Sequence, residues 1–175
     1  NPLNNQPTNG NHPCHLSLSH SEDALFVANY SGGSVATYQV IKDGNLSGPN
    51  DFHQHHGSSV NPKRQEGPHA HMAHLTPDGR HLLVTDLGTD QLMVYQINSQ
   101  EKLDLLKDRC LKLPAGSGPR HLTFSHSNKR MYLINELGNT ILVFPMGEDG
   151  LPAKESTQEI NTLPRDFSEE STTAD

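Results

Sequence analysis

The stretch His71-Met72-Ala73-His74-Leu75, Thr76-Pro77-Asp78-Gly79, His81-Leu82-Leu83-Val84-Thr85-Asp86 and Gln91-Leu92-Met93-Val94-Tyr95-Gln96-Ile97 decides the fold. Three short apolar, β-branched runs are separated by turn residues, the pattern of antiparallel strands. Thr76-Pro77-Asp78-Gly79 is a turn on chemical grounds, because Pro presets φ and Gly enters conformations closed to other residues. Nowhere do apolar residues recur at helical spacing for three turns.

The same unit occurs twice more. Upstream it reads Pro13-Cys14-His15-Leu16-Ser17-Leu18, Ala24-Leu25-Phe26-Val27-Ala28-Asn29 and Ser34-Val35-Ala36-Thr37-Tyr38-Gln39-Val40. Downstream it reads Arg120-His121-Leu122-Thr123-Phe124, Arg130-Met131-Tyr132-Leu133-Ile134-Asn135 and Thr140-Ile141-Leu142-Val143-Phe144-Pro145. With Asn29, Asp86 and Asn135 as equivalent positions, the spacings are 57 and 49 residues. A weaker fourth run follows, at Leu105 to Leu111 and at Glu155 to Ile160. Four strands per unit of ~50 residues is the signature of propeller blades. The expected fold is all-β: about three four-stranded antiparallel blades of a β-propeller, over residues 13–60, 68–113 and 119–161. Three blades do not close a ring when propellers use roughly four to eight. Ser171 to Asp175 stand where a fourth unit's inner strand is due. A propeller fragment, or one half of an assembled ring, is therefore expected, with a small β-sandwich as the alternative.

Composition fits that picture. Of 175 residues, 32% are apolar, none is Trp, and mean hydropathy is -0.67. Counting the 14 Gly brings the apolar share to roughly 40%, below the ~45–50% of globular domains. Polar inserts between short strands, or removal from packing partners, give such a figure. A formal charge of -7 argues against wholesale binding to nucleic acid or an anionic membrane, while leaving room for a local basic cluster that holds a small anion. No run approaches the ~18 apolar residues of a membrane helix. Cys14 and Cys110 follow no paired spacing and read as reduced, packed thiols. The chain opens at Asn1 without a signal-like stretch, and a cytoplasmic location is expected.

Strand direction gathers the polar residues. In a blade the first strand runs one way and the second returns, so the start of the first and the end of the second share a face. His69, His71, Arg120 and His121 lie at starts of first strands, and Asn29, Asp86, Asn135 and Glu136 at ends of second strands. All eight are expected on one rim of the channel. His69 and His71, two apart in extended chain, face one way. They read as metal ligands, as a general base beside a substrate-binding donor, or as surface histidines. His53, His55 and His56, in a Gly/Ser/Asn-rich loop, read as surface histidines. Gly116-Ser117-Gly118-Pro119-Arg120-His121 is a glycine-bearing loop that delivers an Arg suited to carboxylate or phosphate. Glu136 is either a partner holding Arg120 or a base. Asp90 reads as a turn residue capping backbone amides, and Asp86 is open between that role and the site.

Taken together, Arg64-Gln65-Glu66-Gly67-Pro68-His69-Ala70-His71, Asp86-Leu87-Gly88-Thr89-Asp90, Gly116 to Leu122, Asn135-Glu136-Leu137 and Ala28 to Ser34 resemble the lactonase family of seven-bladed propellers. The family includes bacterial 6-phosphogluconolactonase and fungal carboxy-cis,cis-muconate cyclase. The resemblance spans roughly residues 13–145 and less than half of a full-length member. It implies hydrolysis of 6-phospho-D-glucono-1,5-lactone in the pentose phosphate pathway, with neither metal nor cofactor. It implies catalytic roles for His71, Arg120 and Glu136, with a further Arg on a blade beyond Asp175. Arg64, His69, His121 and Asp86 are the expected substrate-binding residues, and the expected partner is a small anionic sugar lactone. A cycloisomerase acting on a carboxymuconate and a non-catalytic binding propeller are the other readings. Open blade edges are expected to meet missing blades or another copy.

Overall fold

In a computed structural model that describes residues 2–169 and 171–173, the chain folds into three antiparallel sheets. Blade 1 contains β1 (Pro13–Leu18), β2 (Ala24–Asn29), β3 (Ser34–Val40) and β4 (Leu46–Gln54). Blade 2 contains β5 (Ala70–Leu75), β6 (His81–Asp86), β7 (Gln91–Ile97), β8 (Leu103–Leu105) and β9 (Leu111–Lys112). Blade 3 contains β10 (Pro119–Phe124), β11 (Arg130–Asn135), β12 (Thr140–Pro145) and β13 (Gln158–Asn161). The fold is the expected all-β series of blades. Neighbouring sheets meet through β1, β5 and β10, so these first strands are the shared inner edge.

The fourth strand of blade 2 departs from the expected run. It breaks after Leu105 into a tight turn, Lys107–Arg109, and resumes at Leu111. The three charged residues of the turn leave the sheet, while Leu106 N donates to Val94 O and Val94 N reaches the Cys110 thiol.

The core lies between blades. Leu82 and Val84 pack on Phe26, Ala28 and Val35 of blade 1. Leu83, Leu92 and Val94 turn the other way, onto Leu122, Met131 and Leu133 of blade 3. β6 is thus buried along its whole length, as a strand covered on both faces must be. The outer blades each keep one open face. In β11, Met131 and Leu133 are buried while Tyr132 is exposed. In β1, Leu16 is 64% exposed. The last described residues run over the β11–β12 turn, where Thr173 N donates to Glu136 O and Asn139 Nδ2 to Ser171 O. Ala174 and Asp175, at the expected start of a fourth unit, lie outside the described residues.

Candidate active site

Three side chains reach the rim by one backbone device. The inner strands are each interrupted by a bulge at their second residue: between Pro13 and His15, Ala70 and Met72, and Pro119 and His121. The skipped residues are Cys14, His71 and Arg120. A bulge re-aims the side chain it carries, so blade equivalence places these three on a common arc. The position after each second strand supplies a second set: Tyr30, Leu87 and Glu136. Leu87 is buried, whereas Tyr30 and Glu136 join the cluster.

Glu136 is its centre. Arg64 Nη2 donates to Oε1 at 2.6 Å and Arg120 Nη1 to Oε2 at 2.5 Å. The carboxylate side chain is 6% exposed, against 37% for Arg64 and 24% for Arg120. Burial pushes its carboxyl up, but the hydrogen bonds and charges of the two guanidiniums outweigh this and hold it below the ordinary value. Two cations thus share one buried carboxylate, and a second carboxylate, that of the exposed Glu66, lies 3.4 Å from His69 Nε2.

The histidines gather around Tyr30. His69 stacks on its ring at 4.7 Å and His71 meets its edge at 5.5 Å. The Tyr30 hydroxyl accepts from Arg64 Nη2 at 3.2 Å. His121 lies 4.9 Å from His71 and 6.1 Å from His15, ring centre to ring centre. Burial, then the charges of Arg120 and His121, push the His71 pKa down to about 4 against the pull of Glu136. His71 is therefore uncharged at neutral pH. Its Nδ1 is buried with no hydrogen-bond partner among the described residues.

Arg64 arrives from the linker between blades 1 and 2, and the adjacent Gln65 fixes that linker. Gln65 is fully buried, donating to Leu87 O at 2.9 Å and Asp90 Oδ1 at 2.7 Å. Gly88 makes this approach possible, since a Cβ there would run into the Gly67 carbonyl.

Six of the seven expected site residues converge: Arg64, His69, His71, Arg120, His121 and Glu136. Asp86 does not join them. It is fully buried, with Oδ1 accepting from the amides of His69, Gly88 and Thr89 and Oδ2 lying 2.6 Å from His55 Nδ1. His55 is likewise no surface histidine. It is 3% exposed, and its Nε2 lies 3.0 Å from the Tyr95 hydroxyl. Asp90 caps amides, but those of Gly116 and Gly118 in the next blade's loop, both at 2.7 Å. Those glycine amides thus serve an inter-blade contact and not an incoming anion. Among the described residues no group of three or more His, Cys, Asp or Glu is arranged to hold a metal ion.

Sequence alone assigns Tyr30, Gln65 and Cys14 no role in the site. The signal for two of them was present in the repeat: Cys14 shares its column with His71 and Arg120, and Tyr30 shares its column with Glu136. Cys14 is an exposed residue and not the packed one expected, although its thiol reaches the carbonyls of Ala28, Ala70 and His71 and partial burial there pushes its pKa up.

Residues 1–175, the whole chain, match the family described as lactonase, 7-bladed beta-propeller. The chain belongs to that lactonase family. It is 31% identical to the 6-phosphogluconolactonase of Bacillus subtilis over 97% of its own length and 47% of the relative's. It is 28% identical to a 6-phosphogluconolactonase of Formosa agariphila over 82% of its length and 41% of that protein's. The periplasmic gluconolactonase of Pseudomonas aeruginosa superposes with a TM-score of 0.85 at 36% identity, over 93% of this chain and 45% of that one. This lactonase-family chain therefore spans a little under half the length of these relatives. No helix among the described residues is long and apolar enough to cross a membrane.

Proposed function

We propose that the chain carries part of the active site of a lactone-opening hydrolase, acting on 6-phospho-D-glucono-1,5-lactone to give 6-phosphogluconate. The reading rests on one observation above all: a buried carboxylate clamped by two partly open guanidiniums, beside an imidazole held uncharged. Guanidinium suits phosphate and a developing oxyanion through paired donors. The names of the relatives support a lactone ester as the bond attacked.

The chemistry follows from the charges. His71 takes a proton from water as the oxygen bonds to the lactone carbonyl carbon, and Arg120 stabilises the oxyanion that forms. The ring C–O bond then breaks and the leaving oxygen receives the proton from His71. An anion beside Arg120 offsets the charge that depresses His71, so bound substrate raises the basicity of His71. Glu136, with both oxygens engaged, holds Arg64 and Arg120 in place. Arg64 and His121 flank the cluster as anion-binding groups, while His69 is committed to Tyr30. The remaining blades of the ring complete the site and cover the open faces of blades 1 and 3, and the pentose phosphate pathway in the cytoplasm is the proposed setting.

The test is lactone hydrolysis by the protein at its full natural length. Arg120→Ala and His71→Ala are each expected to lower kcat/KM by about 10²–10³-fold. Hydrolysis unchanged in both variants removes the assignment. Removal of the phosphate from the lactone is expected to cost about tenfold or more, or ~1.4 kcal/mol.

A further inference from the structure

Tyr30 stands at the meeting point of three groups that come from different parts of the chain. Its hydroxyl holds Arg64 of the linker, one face of its ring lies on His69, and its edge meets His71 of β5. Its backbone carbonyl is 3.2 Å from His69 Nδ1. The stack is near parallel, at 15°, and the contact with His71 near perpendicular, at 81°. Both are preferred ring geometries. Blade equivalence puts Tyr30 in the column of Glu136, so the arc is held at blade 1 by a phenol and at blade 3 by a carboxylate. Arg64 bridges the two with one nitrogen, since Nη2 donates to both Tyr30 and Glu136.

We propose that Tyr30 is a positioning residue of this site, fixing Arg64 through its hydroxyl and the planes of His69 and His71 through its ring. The proposal rests on the hydrolase reading for its kinetic consequence, but not for its structural one. His71 is faced by Tyr30 from the β2–β3 turn, Arg120 and His121 from β10, Glu136 from the end of β11 and the thiol of Cys14 from β1. Of these, Tyr30 and His121 are the rings packed near-perpendicular to the imidazole, at 5.5 and 4.9 Å. Loss of the ring opens His71 to solvent and lets it protonate more readily. Loss of the hydroxyl alone leaves Arg64 held by Glu136 without its second anchor, and leaves His71 as it was.

Two variants separate these roles. In Tyr30→Phe, affinity for inorganic phosphate is expected to fall about tenfold, the loss of one hydrogen bond to a charged group. KM for the phosphorylated lactone is expected to rise by a similar factor with kcat little changed, and the NMR titration of His71 to match wild type. In Tyr30→Ala, His71 is expected to titrate about one pH unit higher, and kcat to fall with the rise in KM. A folded Tyr30→Ala protein with wild-type phosphate affinity and His71 titration overturns the proposal. If Tyr30→Ala does not fold, unchanged phosphate affinity and KM in Tyr30→Phe overturn it instead. Shifts in phosphate affinity and His71 titration in a full-length protein that hydrolyses no lactone would support the role of Tyr30 while discarding the hydrolase reading.

Discussion

Two buried carboxylates at the ends of equivalent strands have opposite surroundings. Asp86 closes β6 and is met by three backbone amides and His55, which in turn meets Tyr95. Glu136 follows β11 and is met by two guanidiniums that keep part of their surface open. Backbone amides are fixed parts of a turn and have nothing to offer a ligand once engaged. A guanidinium carries five donors in a planar fork and retains some after pairing. The first carboxylate holds a turn and a linker together, and the second holds cations ready. Burial alone does not distinguish them, since both are nearly inaccessible.

The largest expected effect breaks the Asp86 cluster. Asp86→Ala strands three buried amides and leaves His55 and Tyr95 without their acid. Each buried group left without its hydrogen-bond partner costs about 1–3 kcal/mol, so the loss of several at once is expected to reach about 3–5 kcal/mol. The expected outcome is a lower denaturation midpoint with an unchanged slope in urea. A loss of less than ~1 kcal/mol would mean that the turn is held by its packing instead.

The next effect is set by pH and belongs to the rim. His71 has a folded pKa of about 4, below its ordinary 6.5. Between these values the unfolded chain binds the proton more readily, so stability is full above pH 6.5 and falls as pH drops toward 4. At most about 3 kcal/mol is at stake. His71→Gln is expected to flatten this part of the stability profile, measured by urea unfolding at a series of pH values. Equal slopes in wild type and variant would mean that His71 is not held uncharged.

Glu136→Gln sharpens the contrast by reversing it. Its partners are partly solvated, so the stability loss is expected to stay near 1 kcal/mol. Hydrolysis by the full-length protein is expected to fall about 10–100-fold, because misplaced cations act at the transition state. Asp86→Ala and Glu136→Gln with the same ratio of stability to activity loss would erase the distinction between the two acids.

Sequence reached the blades because alternation, turn chemistry and a repeat all point the same way. It also reached Arg120, His71 and Glu136, because strand direction alone decides which rim a strand end occupies. It did not reach the bulges. Period-two reasoning puts His69 and His71 on one side, and both do meet Tyr30, but it says nothing of the bulge that carries His71 there. His55 was illegible for a different reason. A loop rich in Gly, Ser and Asn is normally exposed, and nothing local in it tells that Asp86, 31 residues later, draws its imidazole inside. The fourth strand of blade 2 was placed but not its break, because the charged turn and the apolar residues on either side alternate too briefly to show two short strands.

The smallest expected effect on activity tests whether the two clusters are independent. Gln65 ties the linker to the Leu87 carbonyl and Asp90, one residue from the Asp86 turn, and its neighbour in sequence is Arg64. Gln65→Ala removes two donated hydrogen bonds and one accepted from Asn61 N, at a cost of about 1–2 kcal/mol in stability. If the linker carries the placement of Arg64, KM rises several-fold while kcat holds, since a loosened Arg64 weakens binding more than it alters the groups around the reacting carbon. If KM is unchanged, Glu136 and Tyr30 are sufficient to place Arg64. The structural acid and the rim acid then share a blade boundary without sharing a function.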